Sequence, residues 1–138
     1  HLSRRLALVL AFTAWCANQA VGFGLLHYPT DPTTIAWGVA IGIATLAAAE
    51  IARAVAIGLR TAPRWTRPVA VFLGAFIGYE GVLYAAGLVL ASGDDAFSLQ
   101  TVAFVFGTNL IGFVGLEALR RVAVLLHVIT TPAPAFAR

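Results

Sequence analysis

Lysine and methionine are both absent from the 138 residues, cysteine occurs once, and only 11% of the side chains are charged. So few charges exclude the solvated surface that a water-soluble domain of this length displays. The single thiol, Cys16, rules out an intrachain disulfide, and its place inside an apolar run reads as that of a small packing residue. Catalytic sets are missing too. There is no Ser/His/Asp constellation, no His or Cys pair at ligand spacing, and no glycine-rich phosphate loop after a strand. The expected protein is non-enzymatic, holds no metal and no cofactor, and has no nucleic-acid partner. A first residue of His1 in place of Met leads us to expect a trimmed N-terminus.

What the chain has in abundance is apolar residues, 60% of the total, gathered into four long runs. That is the mark of a polytopic membrane protein. The run from Val69 to Ala91 sets the pattern, since its 23 residues contain one ionisable side chain, Glu80. At ~1.5 Å per residue it reaches roughly 34 Å, enough to cross a hydrocarbon core of about 30 Å. Gly74 and Gly78 form a GxxxG pair beside Glu80, and Gly81 and Gly87 continue a row that invites close helix contact. The other spans are 6–26, 34–59 and 100–121, the last with a helical extension to about 129. A breaker-rich turn from His27 to Pro32 separates the first two, with Thr33 or Thr34 as the expected helix cap. Ser92, Gly93, Asp94 and Asp95 close the third, and a tail containing Pro132 and Pro134 reads as a frayed end. Arg4 and Arg5 before the first run also fit a signal peptide, but the run is long for one and no small-residue cleavage site follows it.

All nine cations are arginines. They fall at the N-terminal end, in the linker from Arg60 to Arg67, and at the ends of the second and fourth spans, whereas Asp31, Asp94 and Asp95 fall on the other side. The positive-inside rule then puts both termini in the cytoplasm and makes the number of spans even. The expected fold is all-α: one transmembrane domain over residues 1–138, an integral membrane four-helix bundle, located in a bacterial inner (plasma) membrane. Tyr28, Trp37 and Trp65 are expected at the interfaces. His27 and His127 fall at opposite faces, so a bis-His haem is not supported.

Displacing the chain by 67 residues lays the second span on the fourth. Glu50 meets Glu117, Arg53 meets Arg120, and Thr34, Ala36, Val55, Ala56 and Leu59 meet Thr101, Ala103, Val122, Ala123 and Leu126. Several of these matches are cheap in alanine-rich text; a Glu followed three residues later by an Arg in both places is not. The chain reads as two tandem transmembrane hairpins related by an axis along the membrane normal. Glu80 falls on Thr13, so the midplane acid belongs to one copy.

Two groups of polar residues stand out. Counted inward from the arginine side, Asn18, Glu80 and Asn109 lie at one depth and are expected to form an intramembrane polar cluster, with Gln19 and Thr108 near it. Such groups either bond across helices and hold a bundle together or form a protonatable site. Glu50 with Arg53, and Glu117 with Arg120 or Arg121, share helix faces as ion pairs. Either these are headgroup-level pairs of small effect, or the arginines take lipid phosphates while the glutamates orient them.

The opening Arg4-Arg5-Leu6, the stretch from Val102 to Val124 and its partner from Ile43 to Ile57 resemble the GtrA-like family of small four-helix membrane proteins. The resemblance implies handling or translocation of a polyprenyl-phosphate-linked sugar, or support of a membrane glycosyltransferase. It carries over Arg53, Arg120 and Arg121 as phosphate-contacting residues. The family's aromatic and amide before the arginine are here Leu116, Glu117 and Leu119. Two other readings stand beside it: an accessory subunit packed against further transmembrane subunits of a larger respiratory, photosynthetic or transport complex, and a small proton- or ion-coupled carrier working through Glu80 as a homo-oligomer. Membrane lipids are partners in all three.

Overall fold

A computed structural model of the chain describes residues 3–63, 65–90 and 97–130, with side chains through 126. The Ser92 to Asp95 turn, Arg64 and the tail with Pro132 and Pro134 lie outside the described residues. The architecture is all-α, with helices α1 (Arg4–Gln19), α2 (Pro32–Gly58), α3 (Thr66–Gly87) and α4 (Leu99–Thr130). α1 continues without a break into a π-helical stretch, Ala20–Leu25. All four helices are long and apolar enough to cross a membrane. The chain divides into a unit that holds α1, α2 and α3 and a second unit formed by α4.

Local chemistry sets the helix ends. Ser3 caps α1 by accepting the Leu6 amide at 3.2 Å. At α2 the cap is Asp31, two to three residues earlier than the expected Thr33 or Thr34. Its Oδ1 accepts the amides of Thr33 and Thr34 at 3.0 and 3.1 Å, and its Oδ2 accepts the Thr34 hydroxyl. Pro32 decides the matter, because a proline preset for the first helical position moves the cap to the residue before it. α3 likewise begins before the apolar run, at Thr66, with Arg67 and Pro68 in its first turn, where a missing amide costs nothing.

In the three-helix unit α2 is central, and α1 and α3 pack on it while scarcely touching each other. Almost nothing large is buried. Among the described residues the buried apolar side chains are Ala40 and Ala44, whereas Leu10, Ile43, Ile77 and many other large side chains face outward. Small residues let the backbones approach instead. Gly38 and Gly42 of α2 receive Gln19 and Trp15 of α1, and the Trp15 indole donates to the Gly38 carbonyl at 2.9 Å. Gly74 and Gly78 of α3, the expected GxxxG pair, receive Val55 and Ile51 of α2. These contacts make both helix pairs antiparallel. Gly81 has no neighbour within 4 Å of an added Cβ, and Cys16 is exposed, not packed, because the inward row of α1 is the one carrying Trp15 and Gln19.

A methyl added at Gly42 would lie 2.8 Å from the Trp15 ring, which its own hydrogen bond holds in place. Gly42→Ala is therefore expected to cost ~1–3 kcal/mol by overpacking, while Gly81→Ala gains up to about 1 kcal/mol of helix propensity. Unfolding by SDS in mild-detergent micelles measures both, and equal midpoints would contradict the packing. The Asp31 cap is also legible in pH. The Thr34 hydroxyl and amide hold its carboxyl below the ordinary value of 3.8. The stabilisation is complete above that value and is lost as pH falls through the lower folded-state value. Helicity followed from pH 6 down to pH 2 should show an acid loss that is weaker in Asp31→Asn.

Candidate functional site

Along α2, Ala49, Ala52, Arg53, Ala56 and Ile57 recur at the spacing of one helical face, and Arg60 follows in the turn after the helix. Because α1 and α3 flank α2, this face forms the floor of a crevice of about 420 Å³, walled by Arg4 and Ala7 from α1 and by Arg67 from α3. The alanines keep it open, since larger side chains at those positions would fill it. Four guanidinium groups thus reach one cavity from three helices and the start of the linker.

Glu50 orders two of them. Its Oε1 accepts Arg4 Nε at 2.8 Å, and its Oε2 accepts Arg53 Nε and a terminal Arg53 nitrogen at 3.1 and 3.0 Å. One carboxylate therefore ties the start of α1 to the end of α2 and leaves the rest of each fork available. Neither Arg60 nor Arg67 is held by a carboxylate among the described residues. Glu50 removes one of four positive charges, so the crevice stays cationic. Such an array of planar forks suits a phosphate better than a carboxylate of the same chain.

The second Glu/Arg motif is built on α4 alone. Glu117 accepts Arg120 in a bidentate pair at 2.7 Å for both bonds and Arg121 at 3.1 Å. Both arginines are well exposed, at 64% and 73% of their side chains. The motif thus recurs in both units, with a neighbouring helix's arginine in one and a sequence-adjacent arginine in the other.

Of the polar residues expected at one depth, Asn18 lies on α1 beside the first turns of α2, Glu80 on α3, and Asn109 on α4. No hydrogen bond joins Asn18 to Glu80 among the described residues. Asn109 and Thr108 donate to the carbonyls of Val105 and Phe104 in their own helix at 2.9 Å each. The half-buried Glu80 carboxyl makes no hydrogen bond or ion pair among the described residues.

Arg4, Arg60 and Arg67 line the crevice but were not among the phosphate-contacting residues read from the sequence. The signal was present in the antiparallel count: the start of the first span and the end of the second must meet, which brings Arg4 to Glu50. Compared with known proteins, the chain matches no family model, no curated protein and no solved structure.

The crevice potential is measurable by thiol chemistry. In a Cys16→Ala background, Ala56→Cys should react about tenfold faster with an anionic methanethiosulfonate than with a cationic one, and high salt should shrink the ratio. Equal rates would remove the cationic character assigned to the crevice.

Proposed function

We propose that this is a non-enzymatic integral membrane protein, in the inner membrane of a bacterium, that holds the phosphate of a lipid-linked substrate in the arginine crevice. The fitting substrate is a polyprenyl-phosphate-linked sugar, which the protein translocates or presents to a glycosyltransferase. The observation that carries the reading is the convergence of Arg4, Arg53, Arg60 and Arg67 on one alanine-floored cavity at a helix end. An apolar floor suits the first units of an isoprenoid, and the arginines suit its headgroup. Arg120 and Arg121, oriented by Glu117, extend the same chemistry on α4. With the arginine end in the cytoplasm by the positive-inside rule, the two hairpins share an orientation and both termini are cytoplasmic.

A second reading draws on Glu80. A carboxyl at mid-span with no partner among the described residues calls for a donor from outside, supplied by another subunit, or for a proton. That favours an accessory subunit, or a homo-oligomeric carrier, over an isolated monomer.

The test is binding of farnesyl phosphate to the protein in nanodiscs, followed by native mass spectrometry. Arg53→Ala and Arg60→Ala should each weaken binding about tenfold, the scale of one lost charge-assisted hydrogen bond. Unchanged binding in both variants would overturn the reading. Co-purification with larger membrane subunits in fixed stoichiometry, disrupted by Glu80→Leu, would favour the second.

A further inference from the structure

At the opposite end of α1 and α2 from the arginines lies a second cavity, of about 140 Å³, whose lining includes Asn18, Gln19, Phe23, Tyr28, Thr34 and Trp37. Its walls depend on unusual backbone. The π-helical stretch widens the last turns after α1, and π-helical turns concentrate at functional sites. His27 then takes a left-handed conformation, with φ of 55°, which is uncommon for any residue but glycine. That turn sends Tyr28 back over the π stretch. Its amide donates to the Gly22 carbonyl at 3.1 Å, and its ring lies so close to Gly22 that an added Cβ would sit 2.9 Å away. Strain of this kind persists where the surrounding structure uses it.

We infer that this cavity is a binding site for one uncharged, polyhydroxylated six-membered ring. Size sets the ring count: a cavity of about 150 Å³ accommodates benzene, so this one takes a single ring. Neutrality follows from the lining, which contains no charged side chain. Asp31, which caps α2, has both oxygens committed to Thr33 and Thr34. Hydroxyl content follows from Asn18 and Gln19, whose side chains make no hydrogen bond among the described residues. A lipid tail would leave those amide donors and acceptors unmatched, and so would a quaternary ammonium. A ring carrying hydroxyls on its rim and C–H groups on its faces meets the amides and the Thr34 oxygen at its edge. Its faces rest on Tyr28, Phe23 and Trp37. Phe23 and Tyr28 stand edge to face at 6.3 Å, giving the walls two orientations at once. The ring can belong to a dissolved sugar or cyclitol or to a glycolipid headgroup in the adjoining leaflet. This site stands on residues separate from the arginine crevice, and the two readings fail independently.

Saturation-transfer NMR tests it, on the full chain in nanodiscs of plain phospholipid, with methyl β-glucopyranoside and myo-inositol as soluble probes and glucosyl-diacylglycerol as the lipid probe. Wild type should pass saturation to the ring protons of at least one probe. Asn18→Leu and Gln19→Leu should each reduce that transfer about fivefold or more, the effect of one lost hydrogen bond. Neither side chain makes a hydrogen bond among the described residues, and Asn18, unlike Gln19, takes no part in the contact with Gly38, so in Asn18→Leu helicity and the thermal midpoint should stay at the wild-type values. Transfer confined to the lipid probe supports the site and assigns the ring to a headgroup; transfer to a soluble probe supports it and assigns a free ligand. No transfer to any probe, or undiminished transfer in both variants, overturns it. So does displacement of the ring by tetramethylammonium, which would make the three aromatic side chains a cation cage.

Discussion

Close approach of helix backbones at small residues is the constraint on which the rest of this structure depends. A water-soluble protein of this size is held by large side chains taken out of water, and here the buried apolar side chains among the described residues are two alanines. Large aliphatic side chains point outward and would stabilise nothing in water. In a hydrocarbon solvent they cost nothing there, and helix association has to come from dispersion contact and interhelical hydrogen bonds. α2 meets that demand on two sides. It offers glycines to α1, and its Ile51 and Val55 enter the glycines of α3. The Trp15 hydrogen bond to the carbonyl of Gly38, one of those α2 glycines, exists because the helices approach closely enough for an indole to reach backbone.

The same smallness produces both cavities. Alanines that let α2 sit beneath its neighbours leave a floor of mostly short side chains at the arginine end. Glycines that admit Gln19 and Tyr28 leave a shallow chamber of rings and amides at the other. The two ends then differ in electrostatics. One concentrates guanidinium groups around a single glutamate. The other has amides and rings, with its acid spent on capping a helix.

Much of this was legible in the sequence, for reasons that divide by range. Helix number and the Glu/Arg pairs follow from local spacing: an apolar run fixes a span, and residues three and four apart share a face whatever surrounds them. The GxxxG row on α3 was legible as a contact surface, though not which residues would enter it. The link from Arg4 to Glu50 needs the register between two helices, which spacing within either helix does not contain. The Asp31 cap was missed because two threonines competed for the role and the influence of Pro32 was not weighed. Trp37 and Tyr28 read as interfacial anchors, and their shared cavity depends on a left-handed histidine that no sequence periodicity marks. The polar cluster rested on equal depth alone, and depth says nothing of azimuth: Asn18 and Glu80 sit on helices that both pack on α2.

The π-helical stretch has a further consequence. A π turn is in effect one residue more than an α-helix would use over the same rise, and each residue of an α-helix advances about 100° around the axis. The stretch therefore acts as a phase shifter between two parts of one span. Upstream, the helix is phased so that Trp15 faces Gly42; downstream, the chain leaves at an angle that folds Tyr28 over Gly22. Removing a single residue there would return the stretch to α-helical winding and take away the widened turn over which Tyr28 folds. The geometry of this chamber thus depends on backbone winding as much as on the side chains that line it.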